Sequence, residues 1–280
     1  MSEYSPLVST QWLAMNIDNP NIKILDATWH LPNAGRNAKE EYANAHIKGA
    51  SYFDIDEIAD LNNPLHHSLP NDEKMASRVR SFGISNTNHV IVYDNSDAST
   101  AARVWFMFKN FGHENVSILD GGINKWTLEG NQTTNDITVT PSGHFIAKSK
   151  EENLRNLDQI MDNIDSQKEQ VVDARASGRY NGTAPEPREG LKSGHIPGSL
   201  NVPFNQLLNE DRTYKTNEEI KDIFENNGVD LNKPIITSCG SGVTACVLLF
   251  ALDQIGHKQK ALYGGSWSEW GAHPDTPVVK

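Results

Sequence analysis

Short apolar runs alternate with longer segments of helical period along most of the chain. Ile22–Asp26, Val90–Tyr93, Val116–Leu119, Val171–Asp173, Ile235–Ser238 and Ala261–Tyr263 are the runs. Their apolar character is continuous rather than alternating, which suits strands buried on both faces of a parallel sheet. Met75–Phe82, Thr100–Phe111, Glu218–Asn226 and Val243–Ile255 carry helical patterns between them. Gly112 and Gly256 stand where helix C-caps are expected. Alternating strands and helices predict an α/β fold, an open parallel sheet with helices on both faces.

The pattern occurs twice. "KILDATW" around Asp26 corresponds to "QVVDARA" around Asp173, and "AHIKGASYFDI" to "GHIPGSLNVPF". "HVIVYDNSDASTAARVWFMFKNFGH" has the layout of "PIITSCGSGVTACVLLFALDQIGH", with Asp94 at the place of Cys239. "LDGGINKW" corresponds to "LYGGSWSEW". These landmarks keep their order at offsets of 143 to 149 residues, so the chain is two copies of one domain. The Gly-, Thr-, Asn- and Ser-rich stretch between the copies reads as a linker.

Composition narrows the partners. The chain has 280 residues, with 25 Lys and Arg against 36 Asp and Glu, a net charge of -11. That balance disfavours nucleic acid, whose binding needs a cationic surface, and an anionic membrane. It leaves room for a small anionic substrate in a locally positive pocket. No segment reads as a signal peptide or a membrane span. Cys239 and Cys246 are the only cysteines, too few for a disulfide framework, so a cytoplasmic setting is expected.

Cys239 carries the candidate chemistry. It follows an apolar strand and precedes "GSGVT" and a helix, where open α/β sheets bind ligands. Gly240 and Gly242 let the backbone curl so that amides, those of Val243 and Thr244 among them, converge as an anion nest at a helix N-terminus. Such surroundings favour a thiolate and would stabilise a persulfide. Cys246, inside the apolar helix, reads as a small buried hydrophobe. A cysteine phosphatase also places its nucleophile between strand and helix. Its chemistry wants an arginine at the loop's end, and "CGSGVTACV" has none.

The loop "CGSGVTA" resembles that of the 3-mercaptopyruvate sulfurtransferases, two-domain members of the rhodanese family. The likeness extends to "LDATWHLP", "HIKGASYFDIDEIAD", "LDGGINKW", "VVDARASGRYNGTAPEPREG", "SGHIPGSLNVPF" and "GGSWSEWGAHPDTPV". It implies two tandem rhodanese-like domains: residues 1–130, inactive because Asp94 replaces the cysteine; a linker over 131–152; and a catalytic domain over 153–280. It implies sulfur transfer from 3-mercaptopyruvate through a Cys239 persulfide to a thiol, cyanide or a thioredoxin-like protein, without metal or organic cofactor. Thiosulfate-using relatives typically carry basic residues after the cysteine, where Gly240 and Ser241 stand here. Thiosulfate as main donor, and a sulfur-relay module without catalysis, remain as alternatives.

The same resemblance assigns side chains. Arg179 and Arg188 match the arginines that hold the donor carboxylate. Ser241 matches a proton-handling serine, with Thr244 a second hydroxyl. His46 matches a histidine described beside that serine, although the best match for its supporting aspartate is Asn37. A structural hydrogen bond in a turn explains His46 equally well, and His195 sits at the equivalent place in the other copy. His66 and His67 read as loop residues. A monomer is expected, because the two copies already form an internal pseudo-dimer.

Overall fold

The computed structural model describes residues 4–31 and 34–280. The chain divides into two compact units, each built on a five-stranded parallel sheet. In the first unit the elements run β1 (Leu7–Val8), α1 (Thr10–Asn16), β2 (Ile22–Asp26), α2 (Ala38–Asn44), β3 (Ala50–Tyr52), α3 (Ile55–Ile58), α4 (Asp72–Ser81), β4 (His89–Tyr93), α5 (Ala101–Asn110), β5 (Val116–Leu119) and α6 (Gly122–Leu128). The sheet order is β1-β5-β4-β2-β3. The second unit runs β6 (Leu154–Arg155), α7 (Leu157–Ser166), β7 (Gln170–Asp173), α8 (Ser177–Tyr180), β8 (Leu200–Asn201), α9 (Asn217–Asn226), β9 (Ile235–Ser238), α10 (Ala245–Gln254), β10 (Lys260–Tyr263) and α11 (Ser266–Trp270). Its order, β6-β10-β9-β7-β8, is the same topology repeated.

The expected α/β fold and the apolar runs are borne out. β4, β5 and β9 are buried along their whole length, as strands covered on both faces must be. α10 is buried from Ala245 to Leu252, so its apolar character runs all round rather than along one stripe. Gly112 and Gly256 follow α5 and α10 with φ of 86° and 78°, the left-handed conformation that ends a helix cheaply only at glycine. The edge strands β1, β3, β6 and β8 escaped the sequence pattern. They are two or three residues long, too short to show a period.

The stretch read as a linker packs onto the first unit as far as Lys150. Phe145 is buried beside Phe108 and His113. The amides of Lys148 and Lys150 donate to the carbonyls of Phe111 and Asn110 at 3.1 and 3.0 Å. Gly143 lies so close to Ile84 that a Cβ there would come within 2.1 Å of its carbonyl oxygen. Polar composition described a flexible connector; one buried aromatic and a series of backbone bonds make it a strap.

Two short segments also fall outside a single division of the chain. Glu210–Thr213 belongs to the first unit and Leu61–Ser68 to the second. Arg212 accounts for the former: its Nη2 donates to the carbonyls of Ser96 and Asp97 and to Ser99 Oγ, each at 2.8 Å.

The first unit holds two histidines in neutral form. Burial pushes both His89 and His113 down to about 4, and each also opposes the other or a nearby lysine. Ser117 Oγ donates to the carbonyl of Ser5, so His89 Nε2, 2.8 Å away, donates to Ser117 Oγ and carries the proton. A group whose folded pKa lies below its unfolded value contributes stability that is complete above about pH 6.5 and lost as pH falls towards 4. His89→Gln is therefore expected to lose about 2 kcal/mol less stability than the parent between pH 7 and pH 4.5, measured by urea unfolding at each pH.

Candidate active site

Cys239 directly follows β9, the central strand of the second unit, and is 1% exposed. Gly242, with φ of 76°, folds the loop back so that its amide donates to Cys239 Sγ at 3.1 Å. Ser241 and Val243 are buried. Among the described residues, the amides of Gly240, Ser241, Val243 and Thr244 find no acceptor. Buried donors left unsatisfied are costly unless a ligand accepts from them, so the loop is a cradle for an anion carried on the sulfur. Thr244 opens α10 in helical conformation without a side-chain cap bond, and its hydroxyl plays no capping part. Cys246 Sγ donates to the Gly242 carbonyl at 3.3 Å and is fully buried.

Arg179 reaches the same loop. Its Nη2 would stand 3.1 Å from a Cβ built on Gly240, with Nη1 and Cζ at 3.9 and 4.0 Å. Gly240 has an ordinary φ, so its need for glycine is room for that guanidinium. Glu186 fixes Arg179 through Nε and Nη2 at 3.1 and 2.6 Å, which leaves Nη1–H and the second Nη2–H, side by side at the end of the guanidinium, for another acceptor. The other Glu186 oxygen accepts from Arg175 Nη1 at 2.7 Å. Arg175 is buried, bonded through Nε and Nη2 to Asp173 at the end of β7, and lies 4.1 Å over the Trp267 ring. Burial works against its charge, but Asp173 and Glu186 outweigh burial and raise its pKa. Arg188 Nη1 lies 3.5 Å from Ser268 Oγ, and Ser268 Oγ donates to the Gly240 carbonyl at 2.6 Å. Arg179 and Arg188 are thus both tied to residues that contact the Cys239 loop.

The histidine beside Ser241 is His67. Its Nδ1 lies 2.9 Å from Ser241 Oγ, and the two side chains are 6% and 7% exposed. His46, expected there, is elsewhere. Its Nδ1 faces the carbonyl of Tyr42 at 2.7 Å, Nε2 faces that of Asp136 at 3.1 Å, and its ring stacks on Tyr42. His195 repeats this arrangement with the carbonyl of Tyr180 at 2.9 Å and a stacked Tyr180 ring. The pair is architectural. Asn37 is the N-cap of α2, accepting from the Glu40 amide, and supports no histidine. His67 was missed because it stands in a loop with φ of 61° and no periodicity. Its left-handed backbone is a sign of constraint that only coordinates reveal. Arg175 and Glu186 were missed too, although "DARASGRYNGTAPEPREG" holds both.

At the equivalent place in the first unit, Asp94 fills its own loop. Its carboxylate accepts from the amides of Ala101 and Ser96. Burial raises its pKa, opposed by those amides and by Arg212. A donor loop that already holds a carboxylate has no vacancy for a second anion, and a carboxylate carries no sulfur.

A cysteine in an amide cradle at the C-terminal edge of a parallel sheet, with Arg179 beside its loop and Arg188 tied to it through Ser268, suits an enzyme that works through a covalent bond to sulfur. The rhodanese-like domain model matches residues 9–129 and 156–273, and the chain belongs to the rhodanese family. It is 42% identical over 273 residues to the 3-mercaptopyruvate sulfurtransferase of Mus musculus, covering 95% of this chain and 92% of that protein. It is 44% identical over 284 residues to the thiosulfate sulfurtransferase of Rattus norvegicus, covering 98% and 95%. The crystal structure of the 3-mercaptopyruvate sulfotransferase SseA from Escherichia coli superposes with a TM-score of 0.87 at 40% identity, covering 95% of this chain and all of that one.

The two histidines separate experimentally. His67→Gln is expected to lower the rate of sulfur transfer by about 10²- to 10⁴-fold, the usual range for removing a proton-transfer group. His46→Gln is expected to keep the parent rate and lose thermal stability. Steady-state kinetics and melting curves of the two variants check this.

Proposed function

We propose that the protein moves sulfur from 3-mercaptopyruvate to a thiol acceptor by way of a persulfide on Cys239. The observation that carries this reading is Arg179 lying across Gly240. The loop beside the nucleophile has no basic side chain of its own, and the nearby cation comes from a planar guanidinium held side-on by Glu186. That geometry suits a carboxylate, which two parallel N–H groups grip well. The names of the family relatives support both this donor and thiosulfate; the loop favours the keto acid. Cyanide would serve as acceptor in an assay, and a thioredoxin-like protein is a second thiol source.

The Cys239 thiolate attacks the donor sulfur. The new S–S bond forms as the C–S bond breaks, and its electron pair passes to the carbon of the departing pyruvate enolate. The proton of the donor thiol travels by way of the Ser241 hydroxyl, oriented by His67, to that carbon and gives pyruvate. The persulfide anion left on Cys239 sits among the amides of Gly240, Ser241, Gly242 and Val243, whose fixed dipoles stabilise it. An acceptor thiol then takes the outer sulfur and its own proton, and Cys239 returns to thiolate. Arg179 and Arg188 hold the donor carboxylate throughout.

Cys239→Ser is expected to abolish pyruvate release. After incubation of the parent with 3-mercaptopyruvate, intact-protein mass spectrometry is expected to show one added sulfur atom on Cys239 and none on Cys246. Full pyruvate release by the variant sinks the mechanism.

Gly240→Arg tests donor choice. The new side chain competes with Arg179 for the same space and charge. The variant is expected to lose at least about tenfold in kcat/KM for 3-mercaptopyruvate relative to thiosulfate, a difference of roughly 1.4 kcal/mol. A parent that prefers thiosulfate overturns the assignment of donor.

A further inference from the structure

α11 holds the Cys239 loop from outside the cradle. The Trp267 amide donates to the Cys239 carbonyl at 2.9 Å. The Gly240 carbonyl accepts from the Ser268 amide at 2.8 Å and from Ser268 Oγ at 2.6 Å. A trans peptide is planar, with its C=O and N–H opposed. Drawing these two carbonyls towards α11 turns the amides of Gly240 and Ser241 the other way, away from α11. Ser266 completes the grip: its Oγ accepts from the Cys239 amide at 3.1 Å and donates to the Tyr263 carbonyl at 2.7 Å.

Ser266 is an unusual residue for its place. It is fully buried with φ of 51°, in the left-handed region that is unfavourable for any residue but glycine. The first unit shows what the fold prefers. Its equivalent is Gly122, with φ of 58°, followed by an Ile123 amide that donates to the Asp94 carbonyl at 3.3 Å. The left-handed φ and the amide-to-carbonyl bond that follows it recur in both units, although the preceding Gly121 is left-handed at φ 79° and Gly265 right-handed at φ -64°. Only the unit with the cysteine keeps a serine there, against the conformational preference. In the first unit Asn124 stands at the place of Ser268.

We propose that Ser266 and Ser268 are positioning residues for sulfur transfer: they lock the peptide groups on either side of Cys239 so that the loop amides meet the persulfide. This deepens the persulfide reading and rests on it. Neither hydroxyl exchanges a proton with the donor. Ser266 acts on the amide of the nucleophile, and Ser268 on the carbonyl one residue further, where its Oγ also accepts from Arg188 Nη1 at 3.5 Å.

Ser266→Gly is the decisive variant, because glycine fits the left-handed backbone and Gly122 shows that the fold accepts it. It is expected to keep a melting temperature within a few degrees of the parent. Its single-turnover persulfide formation at saturating 3-mercaptopyruvate is expected to fall about tenfold, with the half-saturating donor concentration unchanged, as loss of one hydrogen bond made to the reacting loop predicts. Ser268→Ala is expected to show a similar fall, and Ser268→Thr, which keeps the hydroxyl, to recover most of it. Alkylation of Cys239 by iodoacetamide, which needs no donor, is expected to slow in Ser266→Gly as well. Parent-like rates in both Ser266→Gly and Ser268→Ala overturn the proposal. So does a fall in rate that merely follows a fall in melting temperature, or that Ser268→Thr fails to recover. A parent that forms no persulfide refutes the proposed function instead, and the alkylation comparison still decides whether the serines position the thiol.

Discussion

The buried Arg175 guanidinium is the interaction on which the rest of the second unit's site depends. It joins four things that would otherwise be independent. Asp173 ends β7, Gly194 lends a carbonyl, Glu186 holds Arg179, and the Trp267 ring lies beneath. Through Glu186 it sets the cation over Gly240. Through Trp267 it seats the segment that grips the Cys239 loop. A buried ion pair of this kind gives modest net stability, because desolvation offsets most of the attraction. Breaking it leaves carboxylates without a cation and costs about 3–5 kcal/mol. Its value here is geometric.

The first unit shows the same scaffold without that centre. Thr28 stands where Arg175 does, and Asp26 takes hydrogen bonds from the Thr28 amide and hydroxyl. Without a guanidinium, burial dominates and pushes the Asp26 carboxyl up to about 6. Asp94 then occupies the loop that holds a cysteine in the other unit, and glycine replaces the strained serine beneath it. Three exchanges, Thr28 for Arg175, Asp94 for Cys239 and Gly122 for Ser266, convert a reacting loop into a self-satisfied one. Strand order and the bond from the Ile123 or Trp267 amide to the carbonyl of Asp94 or Cys239 are common to both.

Most of the fold was legible in the chain because buried parallel strands and their covering helices impose a long apolar pattern. The nucleophile was legible for a related reason. A cysteine, two glycines and a helix start are neighbours in sequence, so local backbone geometry alone brings the amides to the sulfur. Arg179 and Arg188 were found by motif. Their holder Glu186 lies between them in the same motif but reads as one acid among many. The strap over residues 131–150 was read as a linker because its composition is polar, while its anchor, Phe145, is a single aromatic.

The duplicated α/β architecture, the exchange of Cys239 for Asp94 between the copies, and the glycine loop after the cysteine are all readable in the chain, since each is written in residues close together along it. Only the tertiary structure decided which histidine meets Ser241. His46 lies in a motif and turned out to hold two carbonyls, whereas His67 comes from a loop with no pattern and arrives 2.9 Å from a serine 174 residues away. Likewise only the tertiary structure decided that Ser266 supports the nucleophile's own amide. Local patterns record backbone periodicity and turn chemistry. They carry no record of which distant side chains the packing of a folded unit presses together.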